Sequence, residues 1–346
     1  MKRRTFIYRS IRLTAAAATL CIAGLSTRVA ATPKSSHRVA DLEFFDTDRR
    51  RPVPMRLYMP LQAGPLSPVP LAIFSHGLGG SRIGYSYLGS HWASEGIASL
   101  HPQHVGSDNA LWRGNPIEMV QRLQSAARES EAQARALDLR FALDQILKSD
   151  QAQLIDPSKI AVAGHSYGAS TAMLISGAKV ATAGGDAVDL RDQRIRAAIL
   201  ISAPPFVGQG PVEQVLEAVR IPTLHVTSLG DSINLPGYRS SVEDRIAIFN
   251  AMNRSPKMLA VFNTGGHSIF TDRTTRSGPD ISARIKSATR ELCTIFLQQS
   301  LLQNNPITTE GIKQWRLRHE SLLDRLVLAK FENATYLPRD NYANHG

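Results

Sequence analysis

Short, continuously apolar runs alternate along this chain with longer stretches in which apolar residues return every three or four positions, as when strands alternate with helices. The runs predict eight strands: Val39–Phe45, Val53–Pro60, Leu71–Ser75, Ile97–Pro102, Ile160–Gly164, Ala197–Ser202, Thr223–Ser228 and Met258–Asn263. The first two, joined by the charged segment "DTDRRR", are expected to pair as an antiparallel ribbon. From Leu71 onward the runs lack polar alternation, as strands covered on both faces do. Between the fourth and fifth strands, Asn115 and Pro116 have the residue types of an N-cap and a first helical position. Further on, Leu139, Leu143, Ile146 and Leu147 recur at the spacing of a helix face laid on a sheet. Val105 to Gly114 reads as a loop, either a flap over a site or plain surface. After Gln303 the segment "TTEGIKQWRLRHESLLDRLVLAKFENAT" carries Ile312, Trp315, Leu322, Leu326 and Leu328 in an uneven helical rhythm. A helix packed on its own domain is the preferred reading there, and peripheral contact with a membrane or partner is the alternative. The class is α/β, a mostly parallel eight-stranded sheet flanked by helices.

A chain of 346 residues suits one large α/β domain. Forty Lys and Arg against 29 Asp and Glu give a net charge of +11, which suggests nucleic acid until its location is considered. Lys2, Arg3, Arg4, Arg9, Arg12 and Arg28 fall within the first 31 residues, where no acid occurs. Elsewhere the basic residues are scattered among acids and form no stripe with aromatics, so a nucleic-acid partner is not expected.

That first segment has a basic start, an uncharged stretch from Leu13 to Thr27, and small residues at Ala30 and Ala31. It reads as an export signal. The stretch falls short of the roughly 20 apolar residues of a spanning helix. Arg3 and Arg4, followed by Thr5, Phe6 and Ile7, are similar to a twin-arginine signal, which implies a bacterial protein that is periplasmic or secreted. The expected organisation is residues 1–31 as signal, 32–303 as catalytic domain and 304–346 as a helical extension and tail. Beyond the signal Cys293 stands alone, which excludes an intramolecular disulfide and suits a small buried side chain on a helix.

The stretch "KIAVAGHSYGAST" places Ser166 between Gly164 and Gly168, after an apolar strand and before a helix of small residues. G-x-S-x-G in that setting is the nucleophile elbow of an α/β-hydrolase fold, whose sharp turn exposes a serine hydroxyl. A serine hydroxyl needs a base, and the base needs an orienting acid, in the chain order Ser, acid, His. Asp231 in "IPTLHVTSLGDSI" and His267 in "KMLAVFNTGGHSIF" each follow an apolar strand in that order. Glu213 is the rival acid, and His225 and His319 are rival bases, in a strand and a helix respectively.

An oxyanion needs preorganised amides. Tyr167, after the nucleophile, and Leu78, in "LAIFSHGLGGSR" with its Gly77, Gly79 and Gly80, are the expected donors. Arg82 occupies the third-glycine position that a dinucleotide fingerprint requires, so no such cofactor is expected. "HPQH" (His101 to His104) has no adjacent third ligand, so no metal site is expected. His76 and His165 abut the glycine motifs and are read as loop-orienting residues.

Taken together, "FSHGLGG", "GHSYGAS", the aspartate of "VTSLGD" and "GGHSIFTDR" resemble the plasma-type platelet-activating factor acetylhydrolases and their bacterial dienelactone-hydrolase-like relatives, from about Leu71 to about Arg290. The resemblance implies Ser166, Asp231 and His267 as triad, Leu78 and Tyr167 as oxyanion donors, and calcium-independent hydrolysis of short or oxidised acyl esters, often on lipids. Dienelactone hydrolases proper usually use cysteine, so Ser166 argues against that chemistry. The expectation is a cofactor-free serine esterase of short-chain, lipid-like esters. An acyltransferase, a polyester hydrolase or lipase, and a silent binding protein on the same scaffold are the rivals.

Overall fold

The computed structural model describes residues 36–181, 187–235, 238–273, 275, 277–302, 309–329 and 336–337. The export-signal reading of residues 1–31 lies outside them. The described residues, from Ser36 onward, fall in one compact unit.

Its centre is a ten-stranded sheet. In chain order the strands are β1 (His37–Leu42), β2 (Met55–Pro60), β3 (Val69–Ser75), β4 (Ala98–Pro102), β5 (Ile155–His165), β6 (Ile195–Ile201), β7 (Thr223–Gly230), β8 (Lys257–Gly266), β9 (Leu323–Ala329) and β10 (Tyr336–Leu337). Their spatial order is β1-β2-β4-β3-β5-β6-β7-β8-β9-β10. The block from β4 to β8 is parallel. Antiparallel strands flank it on both edges. Helices α1 (Ser86–Ser94), α2 (Pro116–Ala126), α3 (Glu129–Ile146), α4 (Tyr167–Ile175), α5 (Val212–Leu216), α6 (Val242–Ala251), α7 (Pro279–Leu302) and α8 (Thr309–His319) complete the fold.

The continuous apolar runs become strands buried on both faces, because successive side chains point to opposite sides of the sheet. In β3, Leu71 and Ile73 join a core with Leu139, Leu143 and Ile146 of α3 and Met173 of α4. Ala72 and Phe74 face the other way, into a core with Trp92 of α1, Phe296 of α7 and Trp315 of α8. Helix α2 begins as its sequence suggests: Asn115 accepts from the Glu118 amide and Pro116 fills the first position.

Eight strands were expected and the sheet has ten, the difference lying beyond Gln303. The helical reading of 304–346 holds for α8, whose Ile312 and Trp315 are fully buried. It fails at Leu323–Ala329, where Leu323, Leu326 and Leu328 are buried in a strand that closes the edge of β8. Residues 309–329 are thus part of the sheet's own core. An uncovered β8 edge would leave a row of unpaired backbone groups, and β9 satisfies them.

Candidate active site

Four strand ends converge at the C-terminal edge of the parallel block, where ligands of such sheets bind. Ser166 follows β5, Asp231 follows β7, His267 follows β8, and the glycine turn from Gly77 follows β3. Ser166 has φ 55 and ψ −123, a conformation rare for a residue with a side chain and worth about 1–3 kcal/mol of strain. The turn is over-determined: the Ser166 amide donates to Ile201 O at 2.9 Å, and the Ser166 carbonyl accepts from the Ala169 amide at 2.8 Å. A Cβ at Gly164 would overlap the Gly168 backbone, and one at Gly168 would overlap the Ser75 backbone. Both glycines therefore answer a close approach of strand, helix and turn.

The Ser166 hydroxyl donates to His267 Nε2 at 2.8 Å, and His267 Nδ1 donates to Asp231 Oδ1 at 2.7 Å. The Thr227 hydroxyl donates to Asp231 Oδ2 at 2.7 Å, and Arg245 Nη2 lies 3.5 Å from Oδ1. Burial alone would raise the Asp231 carboxyl. The hydrogen bond and charge of His267, with the charge of Arg245, outweigh it and hold the group well below the usual carboxylate range. Glu213, the rival acid, is exposed on α5. His225 is buried in β7 with Nε2 3.2 Å from Thr223 Oγ1, and His319 is bonded to Glu291 at 2.9 Å.

The amides of Leu78 and Tyr167 donate no hydrogen bond among the described residues, and Tyr167 stands at the first position of α4, where an amide has no intrahelical acceptor. The Gly77–Gly80 turn is strapped from outside by the 105–114 loop: the Gly79 amide donates to Ser107 O at 2.8 Å and Trp112 Nε1 donates to Gly79 O at 3.0 Å. Trp112 closes a short 3₁₀ turn, Asn109–Trp112, and occupies the space a Cβ on Gly79 would need. Its backbone φ of +68 also suits Gly79 to this turn.

From inside, the turn rests on Arg135 of α3, a residue no motif singled out. Its fully buried guanidinium donates to Ser107 Oγ at 2.8 Å, Thr171 Oγ1 at 3.0 Å, Ser75 Oγ at 3.1 Å and the His76 carbonyl. It also lies 4.5 Å from the centre of the Tyr167 ring. Burial lowers it to about 10, so it remains a cation at neutral pH. His76 lies between Gly77 O at 2.8 Å and the His104 amide at 3.1 Å, while His104 bridges Ser75 and Asp138. His101, the other member of "HPQH", bonds Ser99 at 2.8 Å. Asp138 in turn accepts from Arg49 and Arg51.

Residues 50–112 match the family described as platelet-activating factor acetylhydrolase, isoform II. That stretch contains β2, β3, α1, β4 and the glycine turn, and it ends before Ser166. A platelet-activating factor acetylhydrolase of Cavia porcellus is 27% identical over 259 residues, covering 65% of this chain and 53% of the relative. The chain thus spans about half the length of the curated relative it matches. Both findings support the platelet-activating factor acetylhydrolase-like group of α/β-hydrolases that the motifs resemble.

Proposed function

We propose that this protein is an esterase of that group, hydrolysing lipid-like carboxylic esters through an acyl-enzyme on Ser166. His267 takes the Ser166 proton as the oxygen attacks the ester carbonyl, and returns it to the departing alcohol. Asp231, ionised at neutral pH, holds His267 with Nδ1–H toward itself and Nε2 toward Ser166, and balances the imidazolium that forms. The developing oxyanion takes the free amides of Leu78 and Tyr167. Water, activated by the same base, then releases the acid. What carries this reading is the unbroken line of hydrogen bonds from Asp231 through His267 to Ser166 at the tip of a strained strand-to-helix turn.

The substrate class rests on the group's chemistry, which favours short acyl chains; export is proposed on the basic and apolar pattern of residues 1–31. No helix among the described residues is long and apolar enough to cross a membrane. The test is a series of nitrophenyl esters from acetyl to palmitoyl, assayed with and without EDTA on wild type and Ser166→Ala. Short chains are expected to give the highest kcat/KM, EDTA to change nothing, and Ser166→Ala to lose about six decades of kcat, the scale seen on removing a protease nucleophile. A maximum at long chains would overturn the short-acyl assignment. Near wild-type turnover in Ser166→Ala would overturn the nucleophile.

A further inference from the structure

Beside the Ser166–His267 pair, Gly77, Tyr85, His165 and the His267 backbone form a second line of hydrogen bonds. The Gly77 amide donates to the Tyr85 hydroxyl at 3.3 Å. Tyr85 Oη lies 2.8 Å from His165 Nδ1, and His165 Nε2 lies 3.1 Å from the backbone carbonyl of His267. Tyr85 and His165 are both buried, and the His165 ring packs against the His267 ring with centroids 4.9 Å apart. Tyr85 adopts φ 58, a strained conformation for an aromatic residue that persists only where the surroundings enforce it.

Every proton in this line has a determined place. A carbonyl oxygen can only accept, so His165 must carry its proton on Nε2. Burial, reinforced by the neighbouring His267, lowers the His165 imidazole to about 3, so it holds that single proton and Nδ1 accepts. The Tyr85 hydroxyl proton therefore points to Nδ1, and its oxygen is left to accept the Gly77 amide. The line is directional, running from the turn that carries Leu78 to the backbone of the residue proposed as base. The start of α1 reinforces it, since the Ser86 amide donates to Asp272 Oδ2 at 2.9 Å and the Tyr87 hydroxyl donates to Phe270 O at 3.0 Å.

We infer that Tyr85 and His165 are positioning residues that fix the spacing between the oxyanion turn and His267 across Ser166, so that base and oxyanion donors are in place together. This rests on the proposed esterase reading. Neither side chain touches substrate; each acts through a backbone group of the machinery. A misplacement of the order of an ångström is enough to cost about 100-fold in rate.

The experiment measures kcat and KM on nitrophenyl acetate for wild type, Tyr85→Phe, His165→Gln, His165→Leu and the double variant Tyr85→Phe/His165→Gln, with active sites counted by fluorophosphonate so that misfolded protein drops out. Tyr85→Phe keeps the ring and removes only the hydroxyl; it is expected to lower kcat about 10- to 100-fold with KM little changed. His165→Gln, whose amide can still donate to the His267 carbonyl, is expected to retain more kcat than His165→Leu. The double variant should match the worse single variant, since both break one line. Imidazole nitrogen NMR of wild type should show His165 as the Nε2–H tautomer. Full kcat in Tyr85→Phe, additive losses in the double variant, or an Nδ1–H tautomer would each overturn the inference while wild type stays active. An inactive wild type would instead overturn the esterase reading. If Tyr85→Phe does not fold, the His165 pair and the tautomer decide.

Discussion

The two flanks of Ser166 are held by different means. On the side proposed to hold the oxyanion, the glycine turn sits on Arg135, whose donors meet three hydroxyls and a carbonyl, and on His76 and His104, which lead to Asp138, Arg51 and Arg49. On the acid–base side His267 and Asp231 stand on short turns, with Thr227 on one carboxylate oxygen and Arg245 behind the other. Arg245 is as deeply buried as Arg135, yet its Nε and Nη2 have no hydrogen-bond partner among the described residues. The difference fits what each flank must do. Oxyanion donors stabilise charge only if they do not reorganise, so a dense polar network behind them is useful. A base must exchange a proton between two oxygens, and it needs orientation with its Nε2 left free.

Substitutions on the two flanks separate these roles. The largest expected effect is on the acid: Asp231→Asn should cost about four decades of kcat, because His267 is left in the wrong tautomer, and it should also lower the unfolding midpoint, because the buried Arg245 loses its counter-charge. Glu213→Gln should leave kcat unaltered, and the reverse ranking would move the acid to α5. Arg135→Leu should lose about 1–3 kcal/mol in urea unfolding as neutral buried acceptors lose their donor, and should lower kcat as well, because the glycine turn loses its support. Arg245→Leu should lose less, since fewer bonds are broken. Equal losses for the two arginines would remove the contrast between the flanks.

A separate effect on stability is expected from pH. Burial lowers His101, His165 and His225 to about 3, and lowers His76 and His104 well below their ordinary value. In the unfolded chain these groups take up protons as pH falls through about 6.5, while the folded chain keeps them neutral. Their folded values are depressed, so their contribution to stability is complete above about pH 6.5 and is lost progressively toward about pH 3, by at most about 1.4 kcal/mol per pH unit for each histidine. Urea midpoints should therefore fall steeply from pH 6.5 to 4. A flat profile across that range would show that these histidines are not held neutral by the fold.

What could be read in the sequence and what could not follows the reach of each interaction. The elbow is a local event: Gly164 and Gly168 are needed because backbones meet within a few residues of Ser166, so a five-residue pattern records it. That Asp231 and His267 converge on Ser166 was legible because the fold fixes their order and each follows an apolar strand. Strand β9 was missed because "LDRLVLA" pairs with β8 from Phe262↔Leu323 to Lys257↔Ala329, far apart in the chain, and its spacing mixes helical and strand periods. Arg135, Arg245 and Tyr85 carry no motif at all. Arg135 meets Thr171 36 positions away, and Tyr85 meets His165 80 positions away, so only the folded chain brings them together.

The claim on which the rest depends is that Ser166 is the nucleophile activated by His267. The most direct measurement is mass-spectrometric mapping of the chain after exposure to a fluorophosphonate. One adduct per chain on the peptide containing Ser166 is predicted, absent in Ser166→Ala and strongly slowed in His267→Gln, with nitrophenyl acetate hydrolysis lost in proportion to labelling. An adduct on another residue, labelling that survives Ser166→Ala, or full esterase activity in the labelled protein would contradict it.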